Sequence, residues 1–297
     1  MSPYDFAVID PRPGARDATL ALVTDRATLG IEMTVPNVAA ACSLGTLDPQ
    51  HTDGDIAHAT IEAAMECDPP PPGALLVTVR PDLDAFGAMA LLSLRAQGVE
   101  PDGDIHTRVQ AIAESDKRAP GVRATEEAVS DQQALAALVA DHRVDTPARI
   151  ASLEQWLASG TLPPEAEDYR QRVAEARPTR AELVEARTAV RAVADGRVAL
   201  LESGLRSATS IAYERAPVAV VWNPSFTLAG DDPHLKYTVC QREPGHIDLV
   251  GLWGTLNALE HNGSWGGSPT VGGSPQGTST SLSRDHILAA VIDHLVE

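Results

Sequence analysis

The stretch Ala74-Leu75-Leu76-Val77-Thr78-Val79-Arg80-Pro81-Asp82-Leu83-Asp84-Ala85-Phe86-Gly87-Ala88-Met89-Ala90-Leu91-Leu92 decides the fold. Its apolar opening reads as a buried strand. Arg80-Pro81 breaks that strand into a turn carrying two carboxylates separated by one residue, and an Ala/Leu-rich run then predicts a helix. In an open α/β sheet, ligands sit beyond the carboxyl ends of the strands, so Asp82 and Asp84 stand where chemistry is expected. Closely spaced carboxylates in such a place suit a hard divalent cation. The same acids also suit the start of a helix, where they cap free N–H groups and meet the positive end of the dipole. Spacing alone leaves both readings open.

Upstream, Asp5 to Asp10 and Thr19 to Thr24 are apolar runs split by Pro11-Arg12-Pro13-Gly14, and read as two strands across a turn. Ile31 to Val35 alternates apolar and polar and suggests a third strand. The polar loop Leu47 to Asp55 leads into a helix from about Ile56 to Glu66, with Asp53 or Asp55 as its cap. Asp68 and four consecutive prolines then form a stiff connector into the central strand. Downstream, the central helix runs to about Arg95, ended by Gln97-Gly98. Ile105, Val109 and Ile112 mark a helix over Ile105 to Ser115.

The segment Val79 to Ala88 resembles the first motif of the DHH phosphoesterase superfamily, a strand followed by His-x-Asp-x-Asp-Ala-x-Gly. Members of that superfamily usually carry a second, DHHA1-type domain with a glycine-rich loop near its end. A comparable loop stands here at Trp265-Gly266-Gly267-Ser268-Pro269-Thr270-Val271-Gly272-Gly273-Ser274. The resemblance implies a two-lobed α/β protein: a DHH-like parallel-sheet domain over 1–124, a helical connector over 125–195, and a smaller DHHA1-like α+β domain over 196–297.

The departures from the family pattern are informative. Arg80 stands where the family has its metal-binding histidine. That replacement motivates His51, beside Asp48 in a polar loop, as a substitute ligand or acid/base group near Asp82 and Asp84. A solvated loop histidine is the plain alternative. Asp116, at the end of the following helix, is a further candidate ligand, and a solvent-facing carboxylate otherwise. The nearest approach to the family's Asp-His-His triplet is Asp141-His142-Arg143. It follows a helical pattern (Gln133 to Ala140), whereas the family's triplet follows a strand; the sequence does not decide whether it is a relic. In the glycine-rich loop, Ser268 occupies about the place of the family's histidine.

From Thr125 to Asp195 the pattern is helical and mostly polar. A helix is expected around Arg149 to Ala158, Pro163-Pro164 and Pro178 act as breaks, and Thr179-Arg180-Ala181-Glu182 reads as a capping box. Leu183, Val190 and Val193 suggest one apolar stripe. In the last third, strands are expected over Arg197 to Glu202, Pro217 to Trp222, Lys236 to Gln241 and His246 to Leu252. Helices follow over Trp253 to Glu260 and Arg284 to Val296.

Six glycines lie between Gly263 and Gly277, interleaved with Ser, Thr and two prolines. Successive N–H groups in such a loop form an anion-binding concavity. A Gly/Ser linker is the plainer reading, but linkers rarely hold a tryptophan and prolines. Gly266, Gly267, Ser268, Gly272, Gly273 and Ser274, with Lys236, Arg242 and His261, are the expected substrate contacts. The expected site is a cleft between these and Asp82/Asp84.

The formal net charge is −18, from 41 acids against 23 bases. A surface that acidic repels a phosphate backbone, so extended nucleic-acid binding is disfavoured. Cys42, Cys67 and Cys240 are odd in number and form no C-x-x-C pair, as expected of reduced thiols in a cytoplasmic protein. No signal-peptide pattern or apolar run of membrane-spanning length is present.

The combined expectation is a metal-dependent hydrolase of the phosphoesterase kind, using Mn²⁺ or Mg²⁺ held by Asp82, Asp84, His51 and Asp116. Arg80 or Lys236 would hold a small phosphorylated or otherwise anionic substrate, and a homodimer is compatible with this reading. The alternative is a small-anion or nucleotide-binding module on the same fold, with its catalysis altered or lost.

Overall fold

The computed structural model describes residues 2–10, 16–33, 35–49, 58–117, 129–227 and 232–296. Two compact units result, one from the described residues of Met1–Lys117 and Ala128–Arg177, the other from those of Pro178–Glu297.

In the first unit β1 (Asp5–Val8), β2 (Thr28–Ile31), β3 (Thr46–Leu47) and β4 (Leu75–Thr78) form a parallel sheet in the order β1-β4-β2-β3. Leu76, Leu29 and Ile31 face one core, while Leu75 and Val77 face another containing Val23 and Val38. Helices α1 (Arg16–Thr24) and α2 (Pro36–Ala41) supply Val23 and Val38. A strand buried on both faces has no polar side, which is why β4 reads as an unbroken apolar run.

Helix α3 (Thr60–Glu66) precedes β4, and α4 (Leu83–Ala96) follows it with every residue from Asp84 to Leu94 buried. The side chain of Asp82 caps α4, accepting from the Ala85 N–H at 3.0 Å. Gly98, at φ 83°, follows its end. α5 (Gly103–Lys117) starts at Asp102, whose Oδ1 accepts from Ile105 N at 2.9 Å.

Several expectations are corrected. Thr19 to Thr24 belongs to α1 and not to a strand; Thr19 and Val23, four residues apart, are both buried, which is a helical spacing. The strand expected over Ile31 to Val35 lies earlier, at Thr28–Ile31. The helix before the prolines begins at Thr60 after Ala59; Asp53 and Asp55 lie outside the described residues.

The helices of the expected 125–195 connector divide between the units. α6 (Asp131–Val139), α7 (Thr146–Ser159) and α8 (Pro164–Glu175) belong to the first. Leu135, Leu138, Ile150, Leu153 and Trp156 share one core with Phe86 and Met89. Each such buried side chain contributes about 2 kcal/mol of transfer free energy, enough to hold the helices to the sheet. Buried Arg149 lies over the Phe86 ring at 4.9 Å and donates to the Val139 carbonyl at 2.6 Å, closing the end of α6.

In the second unit α9 (Arg180–Ala189) opens with the expected capping box, Thr179 Oγ1 accepting from Glu182 N. It ends at Ala189, and Val193 lies on a strand, so the stripe from Leu183 does not run on through Val193. A six-stranded sheet follows in the order β5-β6-β7-β8-β10-β9. Its strands are β5 (Arg191–Val193), β6 (Val198–Glu202), β7 (Val218–Phe226), β8 (His234–Gln241), β9 (Gly266–Gly267) and β10 (Val271–Gly273). Only β6 and β7 pair in parallel.

Alternate residues sort cleanly between its faces. Val198, Leu200, Val218 and Val220 pack with α11 (Leu249–Asn257) and α12 (Arg284–Asp293). Ala199, Leu201, Ala219 and Val221 pack with α9 and α10 (Ala208–Ala212). The strand expected over His246 to Leu252 is instead a single bridge, Ile247 to Leu295, followed by α11. Asp248 Oδ1 accepts from Gly251 N at 2.9 Å and starts the helix there. Among the described residues, no helix is long and apolar enough to cross a membrane.

Candidate functional site

Each strand of the parallel sheet is followed by an acid within four residues: Asp10 after β1, Glu32 after β2, Asp48 after β3 and Asp82 after β4. The neighbouring strands β2 and β4 pair Ile31 with Thr78, so Glu32 emerges beside the Val79-Arg80 turn. Glu32 is 2% exposed, and its φ of 47° lies in the left-handed region that glycine favours. Such a conformation costs a side-chain-bearing residue of order 1 kcal/mol and tends to occur where a position is functionally constrained. Its Oε1 accepts from Thr60 Oγ1 at 3.3 Å, while Oε2 is buried with no hydrogen-bond partner among the described residues.

Asp84 plays a different part. Its Oδ2 accepts from Thr60 N at 2.7 Å and its Oδ1 from Ile61 N at 2.9 Å. One buried carboxylate on α4 thereby satisfies two orphan amides at the start of α3, whose preceding residue, Ala59, has no side chain able to do so. Glu62 returns the favour, Oε2 accepting from Ala59 N at 2.8 Å, and is itself held by Lys117 Nζ at 3.0 Å. The α3 start is therefore fixed from both sides. That places Thr60 against Glu32.

Electrostatics joins the expected residues into one cluster. Burial first, then the charges of Asp82 and Asp84, push Glu32 well above the usual carboxylate range; Arg80 opposes this and Asp116 adds to it. Burial likewise raises Asp82, with the Ala85 amide opposing and Asp116 adding. Asp84 is pushed up to about 7, by burial and then by Asp116, against the Ile61 and Thr60 amides. Like charges packed out of water disfavour ionisation. Arg80, half-buried in the turn that Thr78 Oγ1 braces from Arg80 N at 3.0 Å, brings a cation to this cluster.

Asp82, Asp84, Arg80 and Asp116 thus share one neighbourhood with Glu32, which the sequence reading did not single out. The available signal was an acid placed directly after an apolar strand. His51 lies outside the described residues. Among the described residues, no group of three or more His, Cys, Asp or Glu side chains is arranged to hold a metal ion. Of the expected set Asp82, Asp84, His51 and Asp116, both oxygens of Asp84 and one of Asp82 are directed at helix amides. What the donor set does fit is a hydrated cation, since Mg²⁺ commonly takes one or two carboxylates and completes its shell with water and substrate phosphate. Asp141-His142-Arg143 follows α6, with His142 exposed and Asp141 held by Arg143 and Tyr169.

In the second unit the glycine-rich segment is a hairpin paired to the sheet. Gly272 lies opposite Gly267, and Gly273 opposite Gly266. A Cβ on Gly272 would stand 2.4 Å from Trp253 Cζ2, and one on Gly273 would stand 2.3 Å from the Tyr237 carbonyl. Close packing accounts for these two glycines. Ser268 Oγ accepts from Thr270 N and Val271 N to close the turn, and Ser274 Oγ accepts from Tyr237 N at 3.0 Å. Lys236 Nζ donates to the Ser274 and Pro275 carbonyls, and burial lowers its pKa to about 8. Arg242 is exposed and lies over the Tyr213 ring; the His261 side chain is exposed.

No protein-family model and no curated protein matches the chain. Among solved structures it is similar to PggH, a pGpG-specific phosphodiesterase from Vibrio cholerae, at 10% identity and a TM-score of 0.43, covering 74% of this chain and 79% of that one. It is also similar to an exopolyphosphatase-related protein from Bacteroides fragilis, at 8% identity and a TM-score of 0.39, covering 94% and 74%. Likenesses at this level carry no chemistry across; that has to come from the residues.

Proposed function

We propose that the chain is a phosphoester hydrolase acting, with Mg²⁺ or Mn²⁺, on a small phosphorylated metabolite at the carboxyl ends of β2 and β4. One observation carries this reading: buried Glu32 and Asp84 and half-buried Asp82 gather with Arg80 beyond the ends of two adjacent parallel strands. Anions gathered out of water at the ligand-binding edge of a sheet are costly unless a cation or proton balances them. When bound, the cation neutralises charge on the phosphoryl oxygens and lowers the pKa of water. Asp82 would hold it. Arg80 orients the substrate, its planar guanidinium donating to two phosphoryl oxygens at once. Asp84 fixes α3, and with it Thr60, so that the acids keep their places. Lys236 is the second unit's candidate for an anionic group, as an ammonium that donates to the neutral carbonyls of Ser274 and Pro275.

The test is phosphate release by the full-length chain with Mg²⁺ or Mn²⁺, over a panel of phosphomonoesters, linear dinucleotides such as pGpG, and polyphosphate. Cation-dependent turnover that falls at least about a hundredfold in Asp82→Asn supports the reading. Thermal stabilisation by the same compounds without turnover would replace it with the anion-binding module.

A further inference from the structure

We propose that Glu32 is the principal protein ligand of this site, holding a hydrated divalent cation together with Asp82. This rests on the reading of the same site given above, but concerns a residue outside the motif that suggested it.

Three observations converge on Glu32. It is 2% exposed, yet Oε2 has no hydrogen-bond partner among the described residues. A buried carboxylate oxygen without a donor loses hydration that nothing replaces, and natural structures seldom leave one so unless an ion or water belongs there. Glu32 and Asp82 follow the paired ends of β2 and β4, where Ile31 lies opposite Thr78, so both carboxylates belong to one edge of the sheet. The backbone at Glu32 adopts φ 47° at the end of β2, a conformation that turns this side chain out of the strand's alternation.

The division of labour among the acids follows from their partners. Asp84 has both oxygens on the α3 amides, so it serves structure. Asp82 has Oδ1 on Ala85 N, and Oδ2 is the oxygen assigned to the cation. Two carboxylates with water and substrate oxygens make a complete octahedral set for Mg²⁺ without a protein cage. Arg80, where a histidine ligand would stand in the DHH pattern, is free to face substrate because Glu32 takes up the cation from the neighbouring strand.

The experiment is titration of the full-length protein with Mn²⁺, read by electron paramagnetic resonance of the free ion and by thermal shift. The variants are Glu32→Gln, Asp82→Asn and, as a folded control, Glu114→Gln. Glu32→Gln is close to isosteric and removes a buried charge, so it is expected to fold. Expected is Mn²⁺ binding weakened about tenfold or more in Glu32→Gln and Asp82→Asn, unchanged in Glu114→Gln, with the Mn²⁺-induced thermal shift lost in parallel. Unchanged Mn²⁺ affinity in Glu32→Gln overturns the assignment even if the wild type hydrolyses phosphoesters. Glu32-dependent Mn²⁺ binding without hydrolysis of any substrate supports it and overturns the hydrolase instead. A wild type that binds no Mn²⁺ overturns both.

Discussion

In the first unit, Glu32 sits 2% exposed with one oxygen unpartnered among the described residues and other carboxylates as neighbours. In the second, Glu260 is 9% exposed and saturated with donors. Its Oε1 accepts from the amides of His261, Asn262 and Ser281 and from Ser281 Oγ; its Oε2 accepts from Trp265 Nε1 at 3.0 Å and from Thr280 Oγ1. Burial alone would raise Glu260, but the Ser281 and Thr280 hydroxyls and the Asn262 and Ser281 amides outweigh it and hold the carboxyl well below its usual range. The same side chain, buried twice, is a solvated anion in one unit and a starved one in the other. Burial therefore says little about role until the donors are known. A carboxylate given every donor it can use organises a loop, and one deprived of them waits for a ligand.

The largest effect expected from this contrast is in the second unit. Glu260→Ala leaves the Trp265 indole N–H, two hydroxyls and several amides without their acceptor, and should cost on the order of 4 kcal/mol. Hydrogen-exchange mass spectrometry should show protection lost over residues 257–283, while peptides of α3 and α4 are unchanged. Loss spread equally over both units would mean that Glu260 is not a local organiser.

The pH dependence should have opposite signs in the two units. Asp84 is raised to about 7, and Glu32 and Asp82 are raised as well. Between the unfolded carboxylate value of about 4 and pH 7, the folded first unit binds more protons than its unfolded chain. Its stability must then fall as pH rises through that window, by roughly 3 kcal/mol in cation-free buffer. Glu260 is lowered, so its contribution is fully present above about pH 4 and is lost only on further acidification. Exchange protection of the α3 and α4 amides at pH 5 and 7.5, corrected for intrinsic rates, measures the first slope. Glu32→Gln should flatten it, and a slope of the opposite sign would contradict the raised values.

The central strand, turn and helix were legible because each has a local cause: an unbroken apolar run, a proline, and acids before an Ala/Leu helix. The capping box at Thr179 was legible for the same reason. Glu32 was not, since within Ile31 to Val35 it reads as the polar side of an alternating strand, and only the pairing of β2 with β4 brings it to Asp82. Nor could spacing distinguish Asp82 from Asp84; the difference is that Asp84 reaches α3, an element some twenty residues earlier in the chain. The Thr19 to Thr24 and His246 to Leu252 segments misled because short apolar runs fit strand and helix alike, and the Asp248 cap was the cue that resolved the second. The glycine-rich hairpin shows the converse, with glycines suggesting a ligand loop while Trp253 and Tyr237 demand two of them for packing.

That last point gives the smallest and most discriminating comparison, the same substitution made in each unit. In Gly272→Ala the new Cβ meets Trp253 Cζ2 at 2.4 Å and, at 2.5 Å, the carbonyl oxygen of Gly266 in the backbone of the paired strand. A loss of about 2 kcal/mol is expected. In Gly87→Ala the new Cβ meets Ile61 Cδ1 at 2.8 Å, the end of a side chain that can rotate away. Alanine in a helix interior also gains about 1 kcal/mol over glycine, which offsets the crowding and leaves stability within roughly 1 kcal/mol of wild type. Denaturant midpoints for the two variants test this directly. If Gly87→Ala proves as damaging as Gly272→Ala, then α3 is pinned so firmly by Asp84 that Ile61 has nowhere to go. The acid cluster would in that case be a rigid preformed site, and not one that settles around its cation.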